Sequence, residues 1–445
     1  MKIKIGDLIL RTLLILFGLL FALWVIFASL NVYYYDFSFR KAFIGMSFIV
    51  LLIFLVILVI RYIALIYFSY LNFTFRFTEK ELDSYPMVSI IVPVHNEGKN
   101  LEETIKSIVT LDYPQLEVVI VDDGSTDDTL EIARAHEGEF GPSVIKVMTQ
   151  VNQGKSVALN NGLRASVGEF VLTIDGDSLV DRNSVKRAMH NFRDEKVGAV
   201  AGNVKVINRK TFLAKLQALE YIEGLNMVKR SQTFFKAVNI VPGPFGLFRR
   251  KAIEAVGGYE HDTLADDCDL TVKLLAAGWK VDYEPEAIAW TEAPENINSL
   301  LIQRYRWSRG ILQVLLKHRH SMLNIKGNRT NVITIWYMFF EAIIWPGMNI
   351  FAQIFFVYVA LSYNMFNSLL FWWIQLTLLD MTAALHCVLL EKERLSYVLY
   401  AVPYRVFFIQ IIDVTKLLAT VEELMGVKME WGKIERKGRL KESRD

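Results

Sequence analysis

Three short clusters carry the side chains most able to do chemistry: His95-Asn96-Glu97, Asp122-Asp123-Gly124-Ser125 and Asp175-Gly176-Asp177. Each closes an apolar, β-branched run. Together they offer one amide and five carboxylates, and like charges gathered in one place are costly unless a cation sits among them. Two aspartates one residue apart on a glycine turn can address a single hard divalent ion. Mg2+ or Mn2+ held in that way also binds phosphate oxygens, an arrangement suited to nucleotide chemistry. One Asp-x-Asp or Asp-Asp-Gly alone is more often a solvated loop, but two such clusters after consecutive strands point to a site. The patterns GxGxxG and GxxxxGK[ST] do not occur. Hydride transfer on a dinucleotide and P-loop hydrolysis are therefore poor readings.

The elements that must position these groups are legible as alternating strands and helices. Strands are expected at 87–94 (MVSIIVPV), 117–121 (EVVIV), 144–148 and 170–174 (FVLTI), with helices at about 99–110, 127–135 and 155–165. Short links between them imply an α/β domain with a mainly parallel sheet and helices on both faces. Ligands of such sheets bind beyond the carboxyl ends of the strands. Asn96, Glu97, Asp122, Asp123, Asp175 and Asp177 all fall there.

This domain does not account for the composition. Of 445 residues, 53% are hydrophobic and 22% charged, and the mean hydropathy is +0.30. Disorder and a highly charged tail are excluded. With 49 Lys+Arg against 47 Asp+Glu, the net charge of +2 gives no sign of a nucleic-acid partner. Two cysteines, Cys268 and Cys387, cannot build a disulfide framework. The apolar excess is local. No charge interrupts Thr12–Leu30, Ala42–Ile60 or Ala342–Leu379, runs of a length that crosses a bilayer. The expected layout is a two-helix transmembrane hairpin over 1–72, a soluble domain over 73–300, and an amphipathic interfacial helix within 301–330. Transmembrane and re-entrant helices follow over 331–427, then a basic tail over 428–445. The C-terminal block reads as two spans, 332–361 and 368–390, plus a re-entrant or interfacial segment at 397–425, where Pro403 and Arg405 argue against a simple third span. Lys and Arg asymmetry places the soluble domain and tail in the cytoplasm of a multi-pass membrane protein.

The runs VSIIVPVHNE (88–97), VVIVDDGSTDDT (118–129), TIDGD (173–177), ADDCDLTVKLLAAGW (265–279) and QRYRWSRG (303–310) resemble the family 2 inverting glycosyltransferases. The resemblance is to their membrane-embedded processive members, the cellulose, hyaluronan, chitin and poly-N-acetylglucosamine synthases. It covers roughly residues 85–320 and implies a GT-A-like fold, a UDP-sugar donor, a growing polysaccharide as acceptor and a Mg2+ or Mn2+ cofactor. On that pattern His95, Glu97 and Asp122 line the uridine pocket and Lys155 approaches the diphosphate. Asp175 and Asp177 are the metal pair, with Asp177 the more direct ligand. Asp267 is the general base, beside Asp266. Gln303 and Arg306 cover the diphosphate, and the Trp307 indole is a platform for the acceptor sugar. Gly243, Pro244 and Phe245 fall where these synthases carry an acceptor loop.

The pattern is not uniform. The acidic motif reads Ala265-Asp266-Asp267 where the family has Glu before the base, which puts the role of Asp266 in question. VPGPFGLFRR (241–250) resembles hyaluronan and chitin synthases, whereas DLTVKLLAAGW is closer to poly-N-acetylglucosamine synthases. UDP-N-acetylglucosamine is the favoured donor. Gln303–His320 interleaves cations with Ile311, Leu312, Val314, Leu315 and Leu316, the profile of an interfacial helix. Within the apolar stretches lie Glu341, Asp380 and His386, costly positions for ionisable groups; Glu341, Asn349, Trp336, Tyr337 and Trp345 could line a sugar channel, though packing is the commoner role for such aromatics. Membrane lipids are partners, and accessory export subunits are left open. Two alternatives stay in view: a non-processive enzyme glycosylating a lipid carrier, and a nucleotide-binding transporter or scaffold without catalysis.

Overall fold

The computed structural model describes residues 39–74, 82, 84–140, 143–324, 328–427 and 438–441. The Thr12–Leu30 run and most of the basic tail lie outside the described residues.

Nine strands form one sheet: β1 (Val88–Val94), β2 (Leu116–Asp123), β3 (Gly138–Phe140), β4 (Ser143–Gln150), β5 (Phe170–Thr173), β6 (Ser178–Val180), β7 (Val197–Val206), β8 (Gly246–Arg249) and β9 (Lys280–Thr291). Their order is β3-β4-β2-β1-β5-β8-β7-β9-β6. The block β4-β2-β1-β5 is parallel, as the sequence implies. Beyond it the sheet is mixed. β8 runs antiparallel to both β5 and β7, and β6 runs antiparallel to β9. The mainly parallel sheet expected is found, with additions: the 178–291 segment contributes four strands, of which β7 and β9 pair in parallel while three other pairings are antiparallel.

Both faces of the parallel block are covered, which is why its strands read as continuous apolar runs. Val88, Ile90 and Val92 pack with Leu101 and Ile105 of the Leu101–Val109 helix. Ile91, Val119 and Val121 pack on the other face with Leu159 of the Lys155–Ala165 helix.

Among the described residues, four helical runs are long and apolar enough to cross a membrane: Ile44–Thr74, Arg329–Tyr363, Leu369–Leu390 and Leu395–Leu424. The chain is a membrane protein, and these runs flank the sheet domain. The first packs on Trp345, Phe355 and Trp372, and on Ile222, Met227 and Val228 from the sheet domain. Several ionisable groups within the runs are paired. Arg61 Nε donates to Glu341 Oε1 at 2.6 Å, Tyr62 Oη and Arg405 donate to Asp380, and Ser69 Oγ lies 2.8 Å from His386 Nε2. Asn349 Nδ2 donates to Asp413 Oδ2 at 2.8 Å.

Candidate active site

The site is built where β1, β2 and β5 end. Asp122 is buried and accepts from Ser125 N and Thr149 Oγ1. Asp123 turns the other way and accepts from Gln150 Nε2 (2.7 Å), Gln153 N (2.9 Å) and Gly154 N (2.8 Å). It therefore fixes the start of the Lys155–Ala165 helix, a positioning role that sequence reasoning did not give it. His95 is exposed, with Nδ1 3.0 Å from the Asp123 carbonyl. Glu97 is half-buried at the entry to the Leu101–Val109 helix, close to the Asp175-Gly176-Asp177 turn.

From the anchored helix, Lys155 Nζ donates to Asp175 Oδ1 at 2.5 Å. Gly243 lies against this pair: a Cβ there would come within 2.8 Å of both Asp175 Oδ2 and Lys155 Nζ. Lys155, Asp175, Gly243, Tyr259, Asp266 and Asp267 line one cleft. Asp177 is buried beside it.

Asp266 and Asp267 open the Asp266–Ala276 helix. Asp267 Oδ1 accepts from Cys268 N at 2.7 Å, and Ser156 Oγ donates to Asp266 Oδ2 at 3.3 Å. Burial, then the charge of Asp266, pushes the Asp267 carboxyl up to about 6, with Lys155 opposing. A carboxylate so placed is suited to taking a proton near neutral pH.

The Ile297–Lys317 helix packs against the loop that precedes Asp266. Gly310 touches the loop before the base, since a Cβ there would meet Ala265 Cβ at 2.7 Å and Ala265 N at 2.8 Å. Gln313 Oε1 accepts from Leu264 N at 2.8 Å. Neither residue was singled out in the sequence beyond its place in an amphipathic run. Trp307 is half-buried against Val204, Leu219, Ala384, Val388 and Tyr397, the seam between sheet domain and membrane helices. Arg304 lies over its ring, 4.2 Å from the centroid, and is held by Glu220 Oε2 and Gln303 Oε1, both at 2.5 Å.

Gln303 is 4% exposed and its oxygen accepts from Arg304, which ties it to the guanidinium over Trp307. One expectation is corrected here. Phe245 is fully buried among Val200, Leu247 and Ile174, with its ring on Gly202, and does not face an acceptor. Pro244 and Arg306 are half-buried. Among the described residues, one acidic trio brings its oxygens together, Glu260, Asp262 and Asp269. Lys317 Nζ already sits there at 2.5, 2.8 and 2.9 Å, so the trio reads as an ion-pair network.

Residues 89–257, from β1 past the acceptor-loop segment, match Glycosyl transferase family 2. The chain carries a family 2 glycosyltransferase domain. Two relatives of the chain are the poly-beta-1,6-N-acetyl-D-glucosamine synthases of Staphylococcus epidermidis and Staphylococcus aureus (strain COL). They are each 32% identical, over 284 and 283 residues, or 63% of this chain and 64% and 65% of theirs. The match thus spans just under two thirds of those relatives' length. Among solved structures, the mannosyltransferase PcManGT from Pyrobaculum calidifontis, in complex with GDP-Man and Mn2+, superposes with a TM-score of 0.56 at 22% identity. It covers 82% of this chain and 96% of that one. That likeness shows the GT-A fold of the family 2 domain.

Proposed function

We propose that this protein is a processive, inverting β-glycosyltransferase that polymerises a polysaccharide from a UDP-sugar, with UDP-N-acetylglucosamine the favoured donor, and passes the product across the membrane. The catalytic domain then faces the cytoplasm, where nucleotide sugars are supplied. One observation carries the reading. A raised-pKa carboxylate, Asp267, shares a cleft with the Lys155–Asp175 pair, and the helix that bears Trp307 is tied directly to the loop before that carboxylate. The likeness to poly-N-acetylglucosamine synthases supports the donor.

Asp267 accepts the proton of the acceptor hydroxyl as that oxygen attacks the anomeric carbon. The diphosphate departs from the opposite side, so an α-linked donor gives a β-glycoside and no covalent enzyme intermediate is needed. Lys155 donates to the departing phosphate oxygens, where negative charge grows. The His95 and Glu97 loop, with Asp122, forms the wall for the base and ribose. One lysine faces Asp175, Asp266 and Asp267 in this cleft, with Asp177 adjacent. That excess of carboxylate fits a divalent cation, which Asp175 and Asp177 would hold. When bound, Mg2+ or Mn2+ would supply Lewis-acid stabilisation of the leaving diphosphate.

The test is turnover by the full chain in nanodiscs. UDP-sugars are supplied with Mn2+ or Mg2+, and UDP release and product length are measured. Long product from UDP-N-acetylglucosamine is expected. Single addition to a lipid would instead establish the non-processive reading, and an absence of turnover with every donor would remove the enzyme reading.

A further inference from the structure

An exposed aromatic pair on the catalytic domain stands against the end of the first membrane run. The Val228–Thr233 helix closes on Phe234 and Phe235, which are 47% and 56% exposed. Phe68, from the Ile44–Thr74 run, meets both, with ring centroids 5.2 Å from Phe234 and 4.8 Å from Phe235. Tyr67, also exposed, lies beside Phe68 at 5.5 Å. A contiguous group of large apolar side chains left uncovered marks a contact surface.

The turn that presents the pair is fixed from behind. Lys236 N donates to the Thr233 carbonyl at 2.9 Å and Ala237 N to the Gln232 carbonyl at 3.3 Å, the two bonds of a helix cap that usually places glycine in the left-handed position. Here Lys236 occupies it, at φ 52°. Buried Asp282 of β9 holds it there, accepting from Lys236 Nζ and from Thr233 Oγ1. Val281 N donates to the Lys236 carbonyl at 2.9 Å. The backbone under the two rings is thus stitched to the sheet, and their exposure is not that of a frayed helix end.

Two observations identify what covers them. Along the membrane run, Met46, Ile53, Ile57, Ile60 and Tyr67 are exposed and recur at helical spacing, so they form one stripe. Leu51, Phe54, Leu58 and Tyr62 pack inward instead. The aromatic pair continues the outward stripe past its end. Depth agrees with this. A bilayer core of about 30 Å takes about 20 helical residues, so a core entered at Ile44 is left near Ile63. Tyr67 and Phe68 then lie about one turn further, in the layer where aromatic side chains collect.

We propose that Phe234 and Phe235, with Tyr67 and Phe68, form a membrane-interface anchor through which the catalytic domain inserts into the headgroup–acyl boundary of the leaflet it faces. The partner is lipid, bound by apolar side chains at the interface, and the inference does not depend on the glycosyltransferase reading. Phe212–Glu220, Tyr221–Met227 and Val228–Thr233 are one continuous helical run. Leu225 within it packs into the cluster that holds Trp307, so the anchor sets the height of that seam relative to the bilayer.

The experiment places a nitroxide spin label at Phe235→Cys, and separately at Phe234→Cys, in the full chain in nanodiscs of phosphatidylcholine and phosphatidylglycerol. Cys268 and Cys387 are buried, and wild type treated with the same reagent gives the background. Power saturation compares collisions with oxygen, which concentrates in lipid, and with a water-soluble nickel chelate. Ile57→Cys on the stripe is the lipid reference, and exposed His261→Cys is the water reference. At both Phe positions the oxygen-to-chelate ratio should stand several-fold above that at His261→Cys. A ratio equal to that at His261→Cys overturns the proposal. Shielding from both reagents overturns it too, since protein would then cover the pair, whether the Thr12–Leu30 run or a second copy. Thermal unfolding checks each labelled chain, and where a label at one position prevents folding the other position decides.

Discussion

Asp267 sits at a helix N-terminus, where the helix field favours the charged carboxylate, yet its pKa is raised. Burial comes first, then repulsion from Asp266 and Asp175, and together these outweigh Lys155 and the Cys268 amide. Tyr259 lines the same cleft. A base must be ionised to work, so turnover should fall as pH drops through about 6. Asp267→Asn should lose about 10²- to 10⁴-fold in turnover while still binding UDP in calorimetry. Because the folded state holds this carboxyl above its ordinary value, ionisation weakens folding once pH rises through about 6. The Asn variant should therefore melt higher than wild type at pH 8 and show no such gain at pH 4; the reverse order would contradict the assigned burial. Asp267, Asp175 and Lys155 were legible because each lies in a short motif whose spacing has a chemical reason. Phe245 was misread because only tertiary packing decides which way a side chain points.

The Ile297–Lys317 helix links membrane and chemistry through two residues. Gln313 accepts from Leu264 N while its Nε2 donates to Glu423 Oε2 at 3.2 Å. Gly310 lets the helix backbone approach Ala265. Gly310→Val would push the helix off this loop and displace Asp267. A misplacement of about 1 Å can cost about 10²-fold, so turnover should fall to that extent with UDP affinity retained. If UDP affinity dropped equally, the helix would be acting on the nucleotide side instead. The amphipathic pattern made this helix visible in the sequence, but its partner was not, since the hydrogen bond to Leu264 spans 49 residues. The same limit applies to the sheet. β1, β2, β4 and β5 are apolar runs bounded by Gly and Asp. β7 is broken by Gly198 and Gly202 and buries Asn203 and Lys205, while β9 contains Pro285 and three acidic residues. Neither shows a strand period.

Three helical runs follow the catalytic domain, and the described segment 438–441 is docked on the domain itself. Leu440 is buried with Leu179 and Ile207, and Arg439 Nε lies 3.4 Å from Glu295 Oε1. An even number of membrane crossings is therefore expected between the Ile297–Lys317 helix and this segment. Arg329–Tyr363 starts at the domain, where Asn328 Nδ2 donates to the Leu275 carbonyl at 2.6 Å. Leu369–Leu390 returns to it: Glu391 pairs with Arg230 at 2.7 Å and Glu393 with Arg209 at 2.6 Å. Arg230 and Lys205 hold Glu391 below its ordinary range despite burial, so this end is firmly docked. Leu395–Leu424 begins beside those pairs and ends on Arg309, which donates to Glu423 Oε2 and the Val427 carbonyl, both at 2.6 Å. It is long and apolar enough to cross, but both its ends are fastened to the catalytic side, so we propose that it lies in the membrane plane along Ile297–Lys317. Single cysteines at Asn364, Lys392 and Met425 test this with a membrane-impermeant maleimide, against low background because Cys268 and Cys387 are buried. Asn364→Cys should react in intact cells. Lys392→Cys and Met425→Cys should react only in inverted vesicles, together with a cysteine at exposed His261 of the catalytic domain. Labelling of 392 and 425 from opposite faces would mean that the third run crosses, and the docked tail would then have to be reassigned.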